Sequence, residues 1–200
     1  MDKVSHAHRP INSIPFDSEL TPGARNAVQV CLRIQPTERV TVITDEESLE
    51  IAAALVREVE AAGAPYHAFV LEELADRPLL RLPQEILDDL EKADVSIFAV
   101  RVQRNELQSR MQMTEVVNRR KIRHAHMVNI NRKIMLEGMR ADFAKVDRIS
   151  QKVVDMVRKA SRIRATTPAG TDLVADLSHN YNWLKTSGII SRDKWGNLPG

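Results

Sequence analysis

His124 and His126 in RHAHMVNI are the residues of this sequence whose types and spacing come nearest to a metal chelate. Side chains two apart on an extended strand face the same side, so the pair could share one ion. A zinc or iron centre needs three or four ligands, and no neighbouring motif supplies the rest. The same face carries Val128 and Ile130, so packed or surface histidines are the expectation. Asp172 and Asp176 in GTDLVADL raise the same question for paired carboxylates, which can do acid-base or metal work. An aspartate after a Gly-Thr turn is expected to bond local backbone N–H groups instead. Cys31, the single cysteine, lies at helical spacing from Ala24 and Val28 and reads as a buried small hydrophobe. His6 and His8 read as solvated tail residues rather than metal ligands.

Several chemistries lack their motifs. A dinucleotide fold needs a glycine-rich turn after its first strand, so that N–H groups and a helix N-terminus approach the pyrophosphate. This chain has TDEES there, and Asp45, Glu46 and Glu47 repel phosphate. No G-x-S-x-G nucleophile elbow and no HExxH occurs. On residue chemistry alone no catalytic set is complete, so the catalytic and metal positions among these residues read as none.

The elements that would position these side chains are legible in the pattern. RVTVIT (39–44) is a short β-branched strand, and SLEIAAALVREVEAAG carries a helical stripe at Leu49, Ala52, Ala53, Val56 and Val59. Thr44 and Glu47 have capping-box spacing, and Gly63 stops the helix. Further strands are predicted at 65–73, 95–102 and 124–130, with helices opened by Pro83, in NELQSRMQMTEVVNRR and from about Asp142 to Ser161. The last carries a stripe of Val146, Ile149, Val153, Met156, Val157 and Ala160. Alternating strands and helices with long connections imply parallel strands and right-handed crossovers. The expected fold class is therefore α/β: an open, mostly parallel sheet with helices on both faces, a Rossmann-like sandwich without a dinucleotide fingerprint. A leader occupies 1–20, loosely ordered, and the sandwich 21–161. Residues 162–200 begin a β-rich second domain, with a hairpin turning at Pro168 to Gly170 and KWGNLPG (194–200) forming an unfinished turn.

Composition agrees with a globular chain of one or two domains: 200 residues, 43% hydrophobic and 28% charged. The net charge of +2 gives no blanket reason for a nucleic acid or membrane partner. The basic run NRRKIRHAH (118–126) reads as a solvated helix end, favoured by the helix dipole. One cysteine and no long apolar stretch near the N-terminus fit a reducing, cytoplasmic setting.

The segment ATTPAGTDLVADLS followed by GNLPG resembles the junction region of the aminopeptidase T-type leucyl aminopeptidases, a metallopeptidase family. The matching residues are Pro168, Gly170, Thr171, Asp172 and Leu173, then Asn197, Leu198 and Pro199. The resemblance implies an N-terminal α/β domain, a partly β second domain and homodimer pairing. It also implies a centre of two divalent ions, zinc, cobalt or similar, acting on a peptide or small-molecule substrate. The family's first metal ligand, a glutamate, is expected just beyond N-L-P, so none of its ligand positions matches a residue present here. The N-terminal domain would then shape one wall of a cleft. Polar residues at strand ends are the candidates for that wall: Thr44, Asp45, Arg101, Asn129 and Asn131, each of which reads equally well as a cap or a loop residue. Iron(II) ring-opening dioxygenases acting on dihydroxypyridines are similar to the same family and form a second reading. A non-catalytic binding module is a third.

Overall fold

The computed structural model describes residues 10–178, 180–181, 183–192 and 195–199, so His6 and His8 lie outside the described residues. Its strands are β1 (Val40–Thr44), β2 (Tyr66–Val70), β3 (Val95–Val100), β4 (Arg123–Val128), β5 (Arg162–Thr166), β6 (Asp172–Asp176) and β7 (Gly196–Asn197). Its α-helices are α1 (Thr21–Arg25), α2 (Leu49–Ala61), α3 (Leu71–Leu74), α4 (Gln84–Leu90), α5 (Leu107–Arg120), α6 (Arg132–Leu136) and α7 (Phe143–Val157). Two compact units result. One runs to Ala141 and resumes at Gly188; the other is Asp142–Ser187.

In the first unit five strands form one sheet in the order β2-β1-β3-β4-β7, every neighbour parallel. The fold is α/β, as the alternating pattern predicts. β1 and β3 are buried along their whole length, which is why they read as unbroken apolar runs. On one face Ile43, Phe98 and Val100 pack with Ile86, Leu90, Met113, Val116 and Val117 from α4 and α5. Val42 alternates with Ile43 and so points to the other face, where α2 packs on β1 and α1 packs on α2. α1 continues into a π-helical turn over Asn26–Cys31 and presses against α6. A Cβ on Gly23 would sit 2.6 Å from the Met135 carbonyl oxygen, so only glycine fits there.

Local differences from the sequence expectation have physical causes. The cap of the helical stretch after β1 is Asp45, which accepts the Ser48 N–H at 2.9 Å, while Thr44 spends its hydroxyl on the Ala99 carbonyl. The strand expected over 65–73 stops at Val70 and turns into α3. α5 ends at Lys121 in the left-handed region, φ 55°, a position where glycine is commoner. Residues 11–20, expected to be loose, form two 3-10 turns that bury Ile11 and Leu20, and Asn12 donates to Glu60 of α2. Gly196 and Asn197 spell a turn but make a parallel edge strand on β4, and the Leu198 N–H donates to the His126 carbonyl at 3.1 Å. Buried Ile190 and Leu198 flank these residues and anchor them.

In the second unit Asp142 caps α7 by accepting the Lys145 N–H. β5 and β6 form the predicted antiparallel hairpin, turning through Gly170 at φ +100°. The apolar stripe Val146, Ile149, Val153 and Met156 of α7 is exposed, from 38% to 70%.

Candidate functional site

Strand order reverses between β1 and β3, and a parallel sheet of this kind offers its ligand crevice there, at the carboxyl ends of the strands. Side chains of the protein itself fill the position. Arg77, from the loop after α3, is almost fully buried. It donates to Asp45 at 2.8 Å, to Glu72 at 3.0 Å, through Nε to Glu106 at 2.8 Å, and to the Arg101 carbonyl at 2.8 Å. Asp45 also accepts the Arg101 N–H at 2.7 Å, and Glu106 accepts the N–H groups of Leu79 and Gln103. Burial works against the Glu106 carboxylate, but the Arg77 guanidinium and these N–H donors outweigh it and hold its pKa below the usual range. A cation facing three carboxylates with every donor directed is a finished network.

Among the five strand-end candidates, Thr44 and Asp45 are buried in these backbone roles. Arg101 contributes its N–H and carbonyl to the network. Asn129 adopts φ 57° and accepts the Val102 N–H at 3.2 Å, and Asn131 caps α6 by accepting the Ile134 N–H at 3.0 Å. The structure brings Thr44, Asp45 and Arg101 together and sets Asn129 and Asn131 at the end of β4.

The histidines lie elsewhere on the sheet. In register, Ser96 stands beside His124, and Phe98 beside His126. Ser96 Oγ is 2.8 Å from His124 Nδ1, and His124 Nε2 is 3.0 Å from His126 Nδ1. The His126 ring stacks on Phe98, and Trp195, just ahead of β7, packs against both imidazoles. Burial lowers the pKa of His124 well below 6.5, with the neighbouring His126 adding to it. Burial, then the nearby Arg110 charge, brings His126 down to about 4. Both imidazoles are neutral at neutral pH. His126 opens on a cleft of about 540 Å³ that Arg110, Val128, Trp195, Asn197, Leu198 and Pro199 help to line.

The divalent ions implied by the resemblance find no ligand set among the described residues. Both ring nitrogens of His124 and one of His126 are occupied by hydrogen bonds. Among the described residues no group of three or more His, Cys, Asp or Glu side chains could hold an ion. Asp172 and Asp176 do not bond backbone as expected from the turn; across the hairpin they pair with Arg164 and Arg162. Thr171 closes the turn through its carbonyl, which accepts the Thr167 N–H, while Pro168, Gly170 and Leu173 are exposed. Cys31 is buried, and burial pushes its thiol up to about 12. Arg119 and Arg120 of the basic run face Glu91, and Arg123 pairs with Glu38. Sequence reasoning missed Arg77, Ser96, Arg110 and Trp195. No motif marks them, because each acquires its role from residues distant in sequence.

No family model and no curated protein matches the sequence. Two solved structures share the fold at low identity. One is 2,5-dihydroxypyridine dioxygenase from Pseudomonas putida KT2440, with TM-score 0.61 and 12% identity over 90% of this chain and 54% of that one. The other is the aminopeptidase AmpT from Thermus thermophilus, with TM-score 0.58 and 13% identity over 90% of this chain and 59% of that one. The chain thus spans little more than half the length of either, and at these identities the likeness is one of fold.

Proposed function

We propose that the chain is the N-terminal, supporting part of a metal-dependent leucyl aminopeptidase-like hydrolase that releases N-terminal residues from peptides. The observation carrying this reading is a likeness to AmpT that takes in 90% of the chain but only 59% of the neighbour. The motif residues Pro168, Gly170 to Leu173, and Asn197 to Pro199 point the same way. In this reading the metal ligands belong to polypeptide outside these 200 residues, the parent protein is a cytoplasmic homodimer, and the isolated chain is inactive. What these residues contribute is a sealed β1–β3 crevice and a rigid sheet on which a catalytic part can be seated.

Bound metal and leucyl-anilide hydrolysis, measured together on the purified chain, test the proposal. The expected result is neither. Turnover accompanied by stoichiometric metal in the isolated chain would overturn it.

The dioxygenase reading keeps its place because the corresponding likeness is of the same order. An iron(II) enzyme of that type would hold one ion with two histidines and a carboxylate. Consumption of 2,5-dihydroxypyridine by the completed protein, with no leucyl-anilide hydrolysis, would select it. If neither activity follows completion, the chain is a binding module.

A further inference from the structure

Arg110 is a half-buried cation that the fold leaves unused. Its backbone N–H joins the α5 ladder, donating to the Glu106 carbonyl. Its guanidinium makes no hydrogen bond or ion pair with any described residue, and its Nε is cut off from solvent without an acceptor. Among other arginines with little exposure, Arg77 is matched by Asp45, Glu72 and Glu106, and Arg123, whose Nε is orphaned like that of Arg110, still pairs through its Nη groups with Glu38. Exposed Arg101 has water. What sets Arg110 apart is its Nη end, which has no partner among the described residues and lies at the cleft.

The cleft beside Arg110 has one cation and otherwise mainly apolar walls, supplied by Val128, Ile130, Ile134, Trp195, Leu198 and Pro199. A second polar group reaches it through the sheet. The Ser96–His124–His126 chain occupies His126 Nδ1, leaving Nε2 without a partner among the described residues. The chain has two proton arrangements. If Ser96 donates to His124 Nδ1, then His124 Nε2 donates to His126 Nδ1 and His126 carries its proton on Nε2. The reverse arrangement leaves Nε2 a lone pair. An anion in the cleft selects the first, because it needs donors.

We propose that this cleft binds a small monocarboxylate with an apolar body, its carboxylate held by the Arg110 guanidinium and His126 Nε2–H, its body against Trp195 and Leu198. With Nε cut off from the cleft, the two Nη groups of the planar guanidinium are the ones that can hold a carboxylate in two parallel hydrogen bonds. A phosphate dianion would call for more positive charge than the one cation among the described lining residues. The site stands independently of the aminopeptidase reading, since it needs no metal and no residue outside the chain.

Titration of the full chain with benzoate and with 4-methylpentanoate tests the proposal, followed at the Trp195 indole N–H by two-dimensional NMR. Benzamide serves as the neutral isostere and inorganic phosphate as the rival anion. The expected result is saturable binding of a carboxylate at about 1 mM or tighter, no binding of benzamide, and a loss of about tenfold or more in R110M. R110M should melt at the same temperature as the parent or higher, because it removes an unsatisfied buried group. Equal binding of benzamide, unchanged carboxylate affinity in folded R110M, or saturation by phosphate alone would overturn the assignment. So would the absence of any saturable shift up to about 10 mM, ten times the expected constant.

Discussion

Arg77 and Arg110 belong to the same α/β unit, and the surroundings of one are the reverse of the other. Arg77 stands at the β1–β3 reversal, where this architecture ordinarily receives a ligand, with three carboxylates and a carbonyl around it. Arg110 lines the cleft at the β4–β7 edge with no acceptor among the described residues. Position in the fold therefore does not decide where a ligand is received. What decides it is which polar groups the protein has already satisfied with its own side chains, and by that measure the reversal is closed and the edge is open.

Substitution at Arg77 breaks this contrast most severely. R77M leaves Asp45 and Glu106 buried with backbone N–H donors but no counter-charge, and is expected to lower unfolding free energy by about 3–5 kcal/mol, read from urea denaturation. If R77M costs no more than R110M, the two sites are not different in kind.

Acid sharpens the contrast by separating the regions. His126 is held at about 4 against 6.5 in an unfolded chain, so between those values the unfolded chain takes up a proton that the folded chain refuses. Stability is complete above pH 6.5 and falls as the pH drops toward 4. His126 contributes on the order of 3 kcal/mol to that fall. The carboxylates around Arg77 work on a lower window, since Glu106 has a depressed pKa and protonates only below the ordinary carboxylate range. Replacement of His124 and His126 together by glutamine should flatten the profile from pH 6.5 to 4 and leave the acid limb below it. A parent protein whose stability is level across that window would contradict neutral, buried histidines.

Asn131 probes the ground beside the open cleft. N131A removes the cap on the Ile134 N–H and should cost about 1 kcal/mol by thermal unfolding. At the foot of the scale, R164A on the hairpin breaks a solvent-exposed pair with Asp172 and should produce no measurable change in the melting temperature.

Much of the fold was legible because long elements announce themselves. The apolar run of β3, the stripe of α2 and the Pro-Gly turn of the hairpin each follow from period and turn chemistry. The candidate site was not. His124 and His126 show their spacing, but Ser96 comes from another strand and Trp195 from near the end of the sequence. Arg77 lies between Asp76 and Pro78 in a segment without periodicity, and its partners at 45, 72 and 106 share no motif. The missing acceptor of Arg110 is a property of what surrounds it, which no local pattern encodes. Gly196 and Asn197 have the composition of a turn, and pairing with β4 overrides it.

That pairing is brief. β7 meets β4 at two positions, Ala125 with Gly196 and His126 with Asn197, and Trp195, Leu198 and Pro199 of the cleft wall adjoin it. A strand held by so few hydrogen bonds opens at a small fraction of the global unfolding free energy. Amide exchange at Leu198 should accordingly run far ahead of exchange in β3, and slow when the cleft is filled. Part of any ligand's binding free energy then goes into holding two residues in register, so filling the cleft and tightening β7 onto β4 are one event.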